Sequence, residues 1–200
     1  MVKLVFLCRR RPDITHERYA ALLLDEHVPL ALRHHPRMRR YVVNVVEEVG
    51  ADAPELDSVG MLWFDSLADY RERLYDSPEG ARVIGHDVAR FLGGADAYAT
   101  REEVVEPSRG PARDKALLCL RRLPGATAAA FRACWLARVT GLAGGRGYVA
   151  SLVEERLAAT DLDYDGIAEV EGPLALAVGA HHDVAGVVHA YRVRRHVARW

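Results

Sequence analysis

The order of apolar and polar residues predicts strands and helices along the first half of the chain. Residues 2–9 form a short apolar run that is typical of a buried strand. After it, Thr15 is a suitable helix N-cap, and apolar residues recur at helical spacing up to Leu30. Pro29 lies inside that helical pattern, so we expect the helix to kink or end nearby.

The remaining elements of this half follow from the same patterns. Residues 40–47 and 59–65 are predicted to be strands joined by a polar turn, and residues 97–105 to be the last strand. Residues 66–92 have room for one or two helices, with an interruption near Pro78. The first half is therefore predicted to run strand, helix, strand, strand, helix, strand. This order is typical of an α+β domain with helices on one face of the sheet.

The second half of the chain repeats the first. Four matches occur in the same order: residues 3–19 with 115–131, 41–48 with 148–155, 56–62 with 164–170, and the quartet HDVA at 86–89 with the same quartet at 182–185. Four matches in register indicate a two-copy internal repeat. We therefore predict a first domain at residues 1–106, a linker at 107–114, and a shortened, degenerate second domain at 115–200. The stretch for the second helix is much shorter in the second copy.

Composition excludes several classes of function. The formal net charge is −1, so there is no bulk attraction to nucleic acid or to an anionic membrane. The three cysteines are widely spaced, which favours free thiols, and no Cys/His spacing suits a metal site. The chain begins with a strand and has no apolar run of the roughly 18 to 20 residues that span a bilayer. We therefore expect a cytoplasmic protein that holds no metal.

Five segments of the first half resemble, in their order, the EthD family of dimeric α+β-barrel, ferredoxin-like proteins. They are RRRPDIT at 9–15, DEHVPL at 25–30, RYVVNVV at 40–46, DSVGMLWFDS at 57–66 and SPEGARVIGHDVARFL at 77–92. In such families two domains pack their sheets into one barrel, normally as a homodimer. The resemblance therefore implies two tandem ferredoxin-like (βαββαβ) domains that form a pseudo-dimeric α+β barrel within one chain. A further homodimer through exposed outer sheet edges is left open.

The resemblance also implies a class of activity. The wider superfamily includes cofactor-free oxygenases, polyketide cyclases and decarboxylases, dehydratase-like proteins and haem-handling enzymes, and the fold does not choose among them. Our leading hypothesis is a cofactor-independent enzyme of secondary metabolism, of the kind used in antibiotic biosynthesis. It would catalyse cyclase- or dehydratase-type proton transfer on a polyketide-like or aromatic substrate. The alternatives are a small-molecule binding or auxiliary protein and an oxygenase, either cofactor-free or haem-dependent with His86 as ligand.

Three residues are candidates for catalysis. His27 matches the helix histidine of the family and could exchange protons near neutral pH, or it could be a buried histidine bonded to a backbone carbonyl. Asn44 lies in mid-strand, where asparagine is depleted, and could polarise a substrate carbonyl. His86 could act as an acid or base, or close a helix end together with Asp87. The second copy has Val139 in the place of His27, so we expect one working pocket.

Three further residues are candidates for substrate binding. Tyr41 has a tyrosine at the matching position of the second copy, so packing is its alternative role. Trp63 could pack against an aromatic substrate or fill the core. Asp87 is the member of the HDVA quartet that fits the family pattern. His34 and His35, in contrast, are predicted to lie on a solvated basic loop.

Overall fold

A computed structural model of the protein describes residues 1–106, 114–143, 147–158, 162–172 and 185–199. Its strands are β1 (Val2–Arg10), β2 (Arg40–Val49), β3 (Ser58–Phe64), β4 (Leu92–Glu106), β5 (Asp114–Arg122), β6 (Tyr148–Arg156), β7 (Gly166–Glu171) and β8 (Ala185–Arg199). Its helices are α1 (His16–Ala21), α2 (Val28–His34), α3 (Leu67–Arg73), α4 (Pro78–Val88) and α5 (Ala128–Ala143), with a π-helical segment (Leu22–His27) between α1 and α2. The first half thus has the predicted order of elements, and its second helical region is split into α3 and α4.

The strands close into one antiparallel barrel in the order β1-β3-β2-β8-β5-β7-β6-β4. Each half contributes four neighbouring strands in equivalent order, β4-β1-β3-β2 from the first half and β8-β5-β7-β6 from the second. The two four-stranded units join where β2 pairs with β8 and where β4 pairs with β6. The predicted pseudo-dimeric α+β barrel within one chain is therefore confirmed.

Equivalent residues of the two halves make the same local contact. The backbone amide of Arg10 donates to the carboxylate of Asp57 at 2.7 Å, and that of Arg122 donates to Asp165 at 2.7 Å. Each aspartate directly precedes the third strand of its half and binds the last residues of the first strand. The shared contact supports the internal repeat, because the two aspartates occupy matching positions of the repeated segments.

Successive strand residues face alternately into the barrel and out of it. One apolar cluster fills the interior and draws on both halves, with Val5, Val42, Met61, Leu117, Ile167 and Tyr191 among its members. The outer face of the first half packs on α1, the π-helical segment, α2 and α4, in a cluster that includes Leu4, Tyr19, Val43, Leu62 and Phe91. The outer face of the second half packs on α5, in a cluster that includes Leu118, Phe131, Trp135 and Ala168. The barrel interior is therefore packed core, and the space between sheet and helices lies outside it.

Of the two outcomes expected at Pro29, a kink or an end, the first helical run does not end there. In the π-helical segment before it, the amide of Val28 donates to the carbonyl of Leu23, five residues earlier. Proline has no amide hydrogen, and its ring collides with the carbonyl four residues before it in an α-helix. A wider π turn relieves that conflict. The helical run therefore continues through α2 to His34.

Closure of the barrel bears on the homodimer through exposed outer sheet edges that the sequence left open. Each of the eight strands described has a hydrogen-bonded neighbour on both sides, so these strands offer no free edge to a second molecule. The pairing of halves that homodimers of this fold achieve between chains occurs here within one chain.

Some predictions fall on residues that the structure does not describe. These are most of the linker at 107–114, the shortened second helix of the second copy, and residues 182–184 of the second HDVA quartet. The predicted domain limits stay predictions. Among the helices that are described, none is long and apolar enough to cross a membrane.

Candidate functional site

A cavity of about 260 Å³ lies between the outer face of the first-half sheet and the helices that cover it. Its lining consists of Phe6, Cys8, Tyr19, Leu23, His27, His35, Tyr41, Val43, Ser58, Gly60, Leu62, Tyr70, Leu74, Tyr75, Ile84, Val88, Phe91, Leu92 and Ala95. None of these lining residues is aspartate, glutamate, lysine or arginine. An apolar, aromatic lining with a few polar groups is typical of small-molecule sites.

His27 presents an imidazole to this cavity from the end of the π-helical segment. Its Nδ1 lies 2.9 Å from a carboxylate oxygen of Asp87 in α4, and its ring packs edge-on against Phe91. Burial lowers the pKa of His27 below its ordinary value, while the hydrogen bond and charge of Asp87 act in the opposite direction without cancelling the effect of burial. His27 is therefore neutral near pH 7. A neutral ring that donates Nδ1–H to Asp87 leaves Nε2 as a proton acceptor.

Asp87 is itself buried and held in place. Its second oxygen lies 3.3 Å from a guanidinium nitrogen of Arg90, which also pairs with Glu26 at 2.7 Å. Arg90 thus links α4 to the π-helical segment beside His27. The carboxylate therefore has a fixed position from which to orient the imidazole.

Gly80 leaves room for a side-chain pair between α4 and α2. A Cβ atom at this position would lie 2.2 Å from Oδ1 of Asp76 and 2.8 Å from Nδ1 of His34, and both distances are too short. Only glycine leaves room for the His34–Asp76 pair at this helix crossing.

His35 also lines the cavity, although the sequence pattern predicted it on a solvated loop. It caps the C-terminus of α2, is only 6% exposed, and its ring packs edge-on against Tyr75. Neither ring nitrogen has a hydrogen-bond partner among the described residues. The sequence contains one signal for the buried position of His35. The apolar stripe that includes His27 and Ala31 reaches His35 after a further step of four residues.

Two hydroxyls and a thiol complete the polar lining. The hydroxyl of Tyr19 is paired with that of Ser58 at 2.7 Å. Tyr41, a predicted substrate-binding residue, does line the cavity, and burial raises the pKa of its phenol. Burial raises the pKa of the Cys8 thiol to about 11, so no reactive thiolate forms there near neutral pH.

Asn44 lies on the opposite face of the sheet from this cavity. It alternates with Tyr41 and Val43 and therefore points into the barrel interior. Its Nδ2 donates to the carbonyl of Val59 at 3.1 Å, while its buried Oδ1 has no partner within the described part of the chain. Nothing in the structure brings its amide to His27.

Trp63 also faces the interior, at one end of the barrel. Its indole Nε1 donates to Glu102 at 3.2 Å, and Nζ of Lys3 lies 5.1 Å from the centre of its ring. The guanidinium of Arg40 lies over the same ring at 4.4 Å. These contacts place Trp63 among charged side chains of the first half and not in the lining of the cavity.

His86 is exposed on α4 and is not part of the lining of this cavity. The structure therefore places two of the six predicted site residues, His27 and Tyr41, in the lining of one cavity, and a third, Asp87, within hydrogen-bond distance of His27. Asn44, Trp63 and His86 are elsewhere. Within the described ranges, no group of three or more His, Cys, Asp or Glu side chains could hold a metal ion.

Comparison with known proteins agrees with this fold. The domain model of the EthD family matches residues 11–95, which contain most of the cavity lining. The structure of an anthrone oxidase-like protein shares the fold, with a TM-score of 0.56 and 13% identity over 98% of this chain and 92% of that chain. A candidate monooxygenase from Lactobacillus acidophilus NCFM gives a TM-score of 0.49 at 11% identity, over 99% of this chain and 95% of that chain. No curated protein matches the sequence.

The family match and the fold together identify the first repeat. The match covers β2, β3 and all the helices that enclose the cavity. The second repeat is related to it by the internal sequence matches and by its equivalent strand order. The chain therefore carries an EthD domain at residues 11–95.

Proposed function

We propose that this protein is a cofactor-independent small-molecule enzyme in which His27 transfers a proton to and from an aromatic or polyketide-like substrate. The observation that carries the proposal is the His27–Asp87 pair, hydrogen-bonded at 2.9 Å beside an apolar cavity. The EthD family and the fold shared with an anthrone oxidase-like protein support a small-molecule enzyme of the dimeric α+β-barrel type.

The pair has the properties of a general base. Asp87 accepts a hydrogen bond from Nδ1 and thereby fixes the tautomer in which Nε2 carries the lone pair. Burial keeps the pKa of His27 below its ordinary value, so the unprotonated ring predominates at neutral pH. When Nε2 takes a proton, the nearby carboxylate stabilises the imidazolium that forms. His27 can therefore accept a proton and then return it as a general acid.

These properties suit cyclase- or dehydratase-type chemistry. Nε2 removes a proton from the carbon next to a substrate carbonyl, and the electron pair of the C–H bond forms an enolate. The enolate attacks a second carbonyl carbon in a cyclisation, or expels a β-hydroxyl group in a dehydration. The imidazolium returns its proton to the oxygen that receives the negative charge, so protons and charge balance.

The first step can be tested without knowing the natural substrate. We would incubate the protein with 1-tetralone, an uncharged bicyclic ketone, in deuterated water and follow loss of the proton signal next to the carbonyl by NMR. The wild type is expected to accelerate exchange over buffer. His27→Gln should lower the enzymatic rate by about 10²- to 10⁴-fold, the usual contribution of a general base.

A matched histidine variant provides the control. His16→Gln changes a histidine that binds Asp57 away from the cavity, and its exchange rate should stay within about twofold of wild type. Equal rates for His27→Gln and wild type would contradict the proposal. Saturable binding of 1-tetralone without exchange would favour a binding protein, and oxygen consumption with an anthrone would favour an oxygenase.

A further inference from the structure

We infer that His35 is a second substrate-contacting residue of this cavity, and that its ring hydrogen-bonds a hydroxyl or carbonyl group at the opposite end of an uncharged aromatic substrate from His27. The inference rests on the proposed function, because it assigns a substrate class to the same cavity. It can nevertheless be tested by binding alone.

The first observation is that His35 has unused hydrogen-bonding capacity. A neutral imidazole offers one donor and one acceptor, and buried polar atoms are rarely left without partners. His35 is 6% exposed and lines the cavity, yet neither nitrogen has a partner in the described part of the chain. A bound molecule that enters the cavity can supply the missing partner.

The second observation is that the surroundings hold His35 over the cavity. The preceding His34 pairs with Asp76 at 3.1 Å, and the amide of Asp76 donates to the carbonyl of His34 at 3.0 Å. Asp76 also accepts from Ser77 at 3.1 Å. These bonds fix the end of α2 to the segment before α4 and engage the carboxylate that lies near His35. The ring of His35 is left against Tyr75 and the cavity.

The third observation concerns the distance between the two histidines. His35 directly follows the helical run that contains His27 and is eight residues from it, which is about two helical turns. Both rings line the same cavity. A flat molecule between them therefore needs a polar group at each end. The volume of about 260 Å³ lies near the lower limit for ligand pockets and suits a molecule of roughly two or three fused rings.

The charge of the lining restricts the substrate further. The lining residues include no cationic side chain that could pair with a carboxylate. Burial, followed by the charges of His27 and His34, lowers the pKa of His35 to about 4, so this ring is also neutral at pH 7. An ionised substrate would lose its hydration without gaining a partner. Uncharged phenolic ketones are therefore the class that this cavity fits.

Two probes that differ by one hydroxyl test the inference. 1-Tetralone has only the carbonyl, and 6-hydroxy-1-tetralone adds a hydroxyl at the far end of the ring system. In mildly acidic buffer, which keeps the phenol protonated, the wild type should bind the hydroxylated probe about tenfold more tightly, as one added hydrogen bond allows. His35→Phe should abolish that preference and leave the affinity for 1-tetralone within about threefold. His35→Gln, which retains a donor and an acceptor, should restore part of the preference.

Each outcome is decisive. Equal affinities for the two probes in the wild type, or an equal loss of affinity for both in His35→Phe, would overturn the inference. If His35→Phe does not fold, ¹⁵N NMR of the wild type takes its place, because the hydroxylated probe must shift the His35 ring nitrogens and 1-tetralone must not. The proposed function fails separately, through the absence of deuterium exchange, and these binding measurements need no turnover.

Discussion

His27, in the helical run, and His35, which caps its end, line one cavity, yet their partners give them different roles. His27 has a buried carboxylate at 2.9 Å, which orients its ring and supports a positive charge on it. His35 has no such partner among the described residues, and burial keeps it neutral. A residue that must gain and lose a proton needs the first environment. A residue that donates and accepts hydrogen bonds to an uncharged group needs the second.

The environment of His35 predicts acid sensitivity. Its pKa in the folded protein is about 4, against an ordinary value of 6.5, so the unfolded chain takes up this proton first as the pH falls. Its contribution to stability is complete above pH 6.5 and is lost as the pH falls towards 4, amounting to about 3 kcal/mol. Between pH 7 and pH 4, the free energy of unfolding measured by urea titration should therefore fall by about 3 kcal/mol less in His35→Phe than in the wild type. Parallel pH profiles for the two proteins would contradict this account.

At the scale of elements, the apolar pattern predicts where the strands lie but not which face of each strand borders the cavity. Every residue of β3 is buried, and six consecutive residues of β2 are buried, because helices cover one face and the barrel interior lies behind the other. A strand buried on both sides reads as a continuous apolar run. The pattern therefore shows that Asn44 and Tyr41 point to opposite faces but does not show which face borders the cavity.

The helices illustrate a different limit of the sequence. Thr15 was correctly predicted to be an N-cap, and the interruption near Pro78 separates α3 from α4. The π-helical segment before Pro29 was not predicted, because a wider turn keeps the same apolar stripe while it avoids the proline conflict. It also carried the helical run on to His35, which the sequence pattern placed on a loop.

The two repeats use equivalent elements differently. Tyr19 and Ser58 share a hydrogen bond beside the cavity, whereas the matching positions of the second half hold Phe131 and Gly166. A Cβ at Gly166 would lie 3.2 Å from the Phe131 ring, so the phenyl group uses the space that the serine occupies in the first half. Trp135, at the position that matches Leu23, is fully buried beside it. Bulky rings thus pack the second sheet where the first sheet borders a cavity.

At the scale of the whole molecule, a buried ionic cluster joins the two halves. Lys3 and Lys115 are the only lysines of the chain and occupy matching positions of the repeats. Both bind the carboxylate of Glu169, Lys3 at 2.5 Å. Burial alone would raise the pKa of Glu169, but the charges of Lys115 and Lys3 and their hydrogen bonds lower it below its ordinary value. The cluster therefore stays ionised and links β1, β5 and β7 inside the barrel.

Removal of the central carboxylate should weaken the interaction between the two halves and lower the free energy of unfolding. Glu169→Gln removes the carboxylate that Lys115 binds and one of the two carboxylates that pair with Lys3, the other being Glu102 at 3.2 Å. The loss of one partner from a buried ionic cluster costs about 3–5 kcal/mol. Denaturant titration at neutral pH measures this loss. Glu79→Gln, which removes an exposed pair with Arg82, is the control and should leave the stability nearly unchanged. Equal stabilities for the two variants would show that the cluster does not hold the halves together.

The central claim is that His27 acts as a base inside the cavity, and the pH dependence of deuterium exchange tests it most directly. Burial places the pKa of His27 below 6.5, and only the unprotonated ring accepts a proton. The rate of wild-type exchange of 1-tetralone should therefore rise as the pH increases towards that pKa and stay level through pH 7 to 8. A rate that keeps rising in proportion to hydroxide concentration, or that equals the buffer rate throughout, would contradict the account.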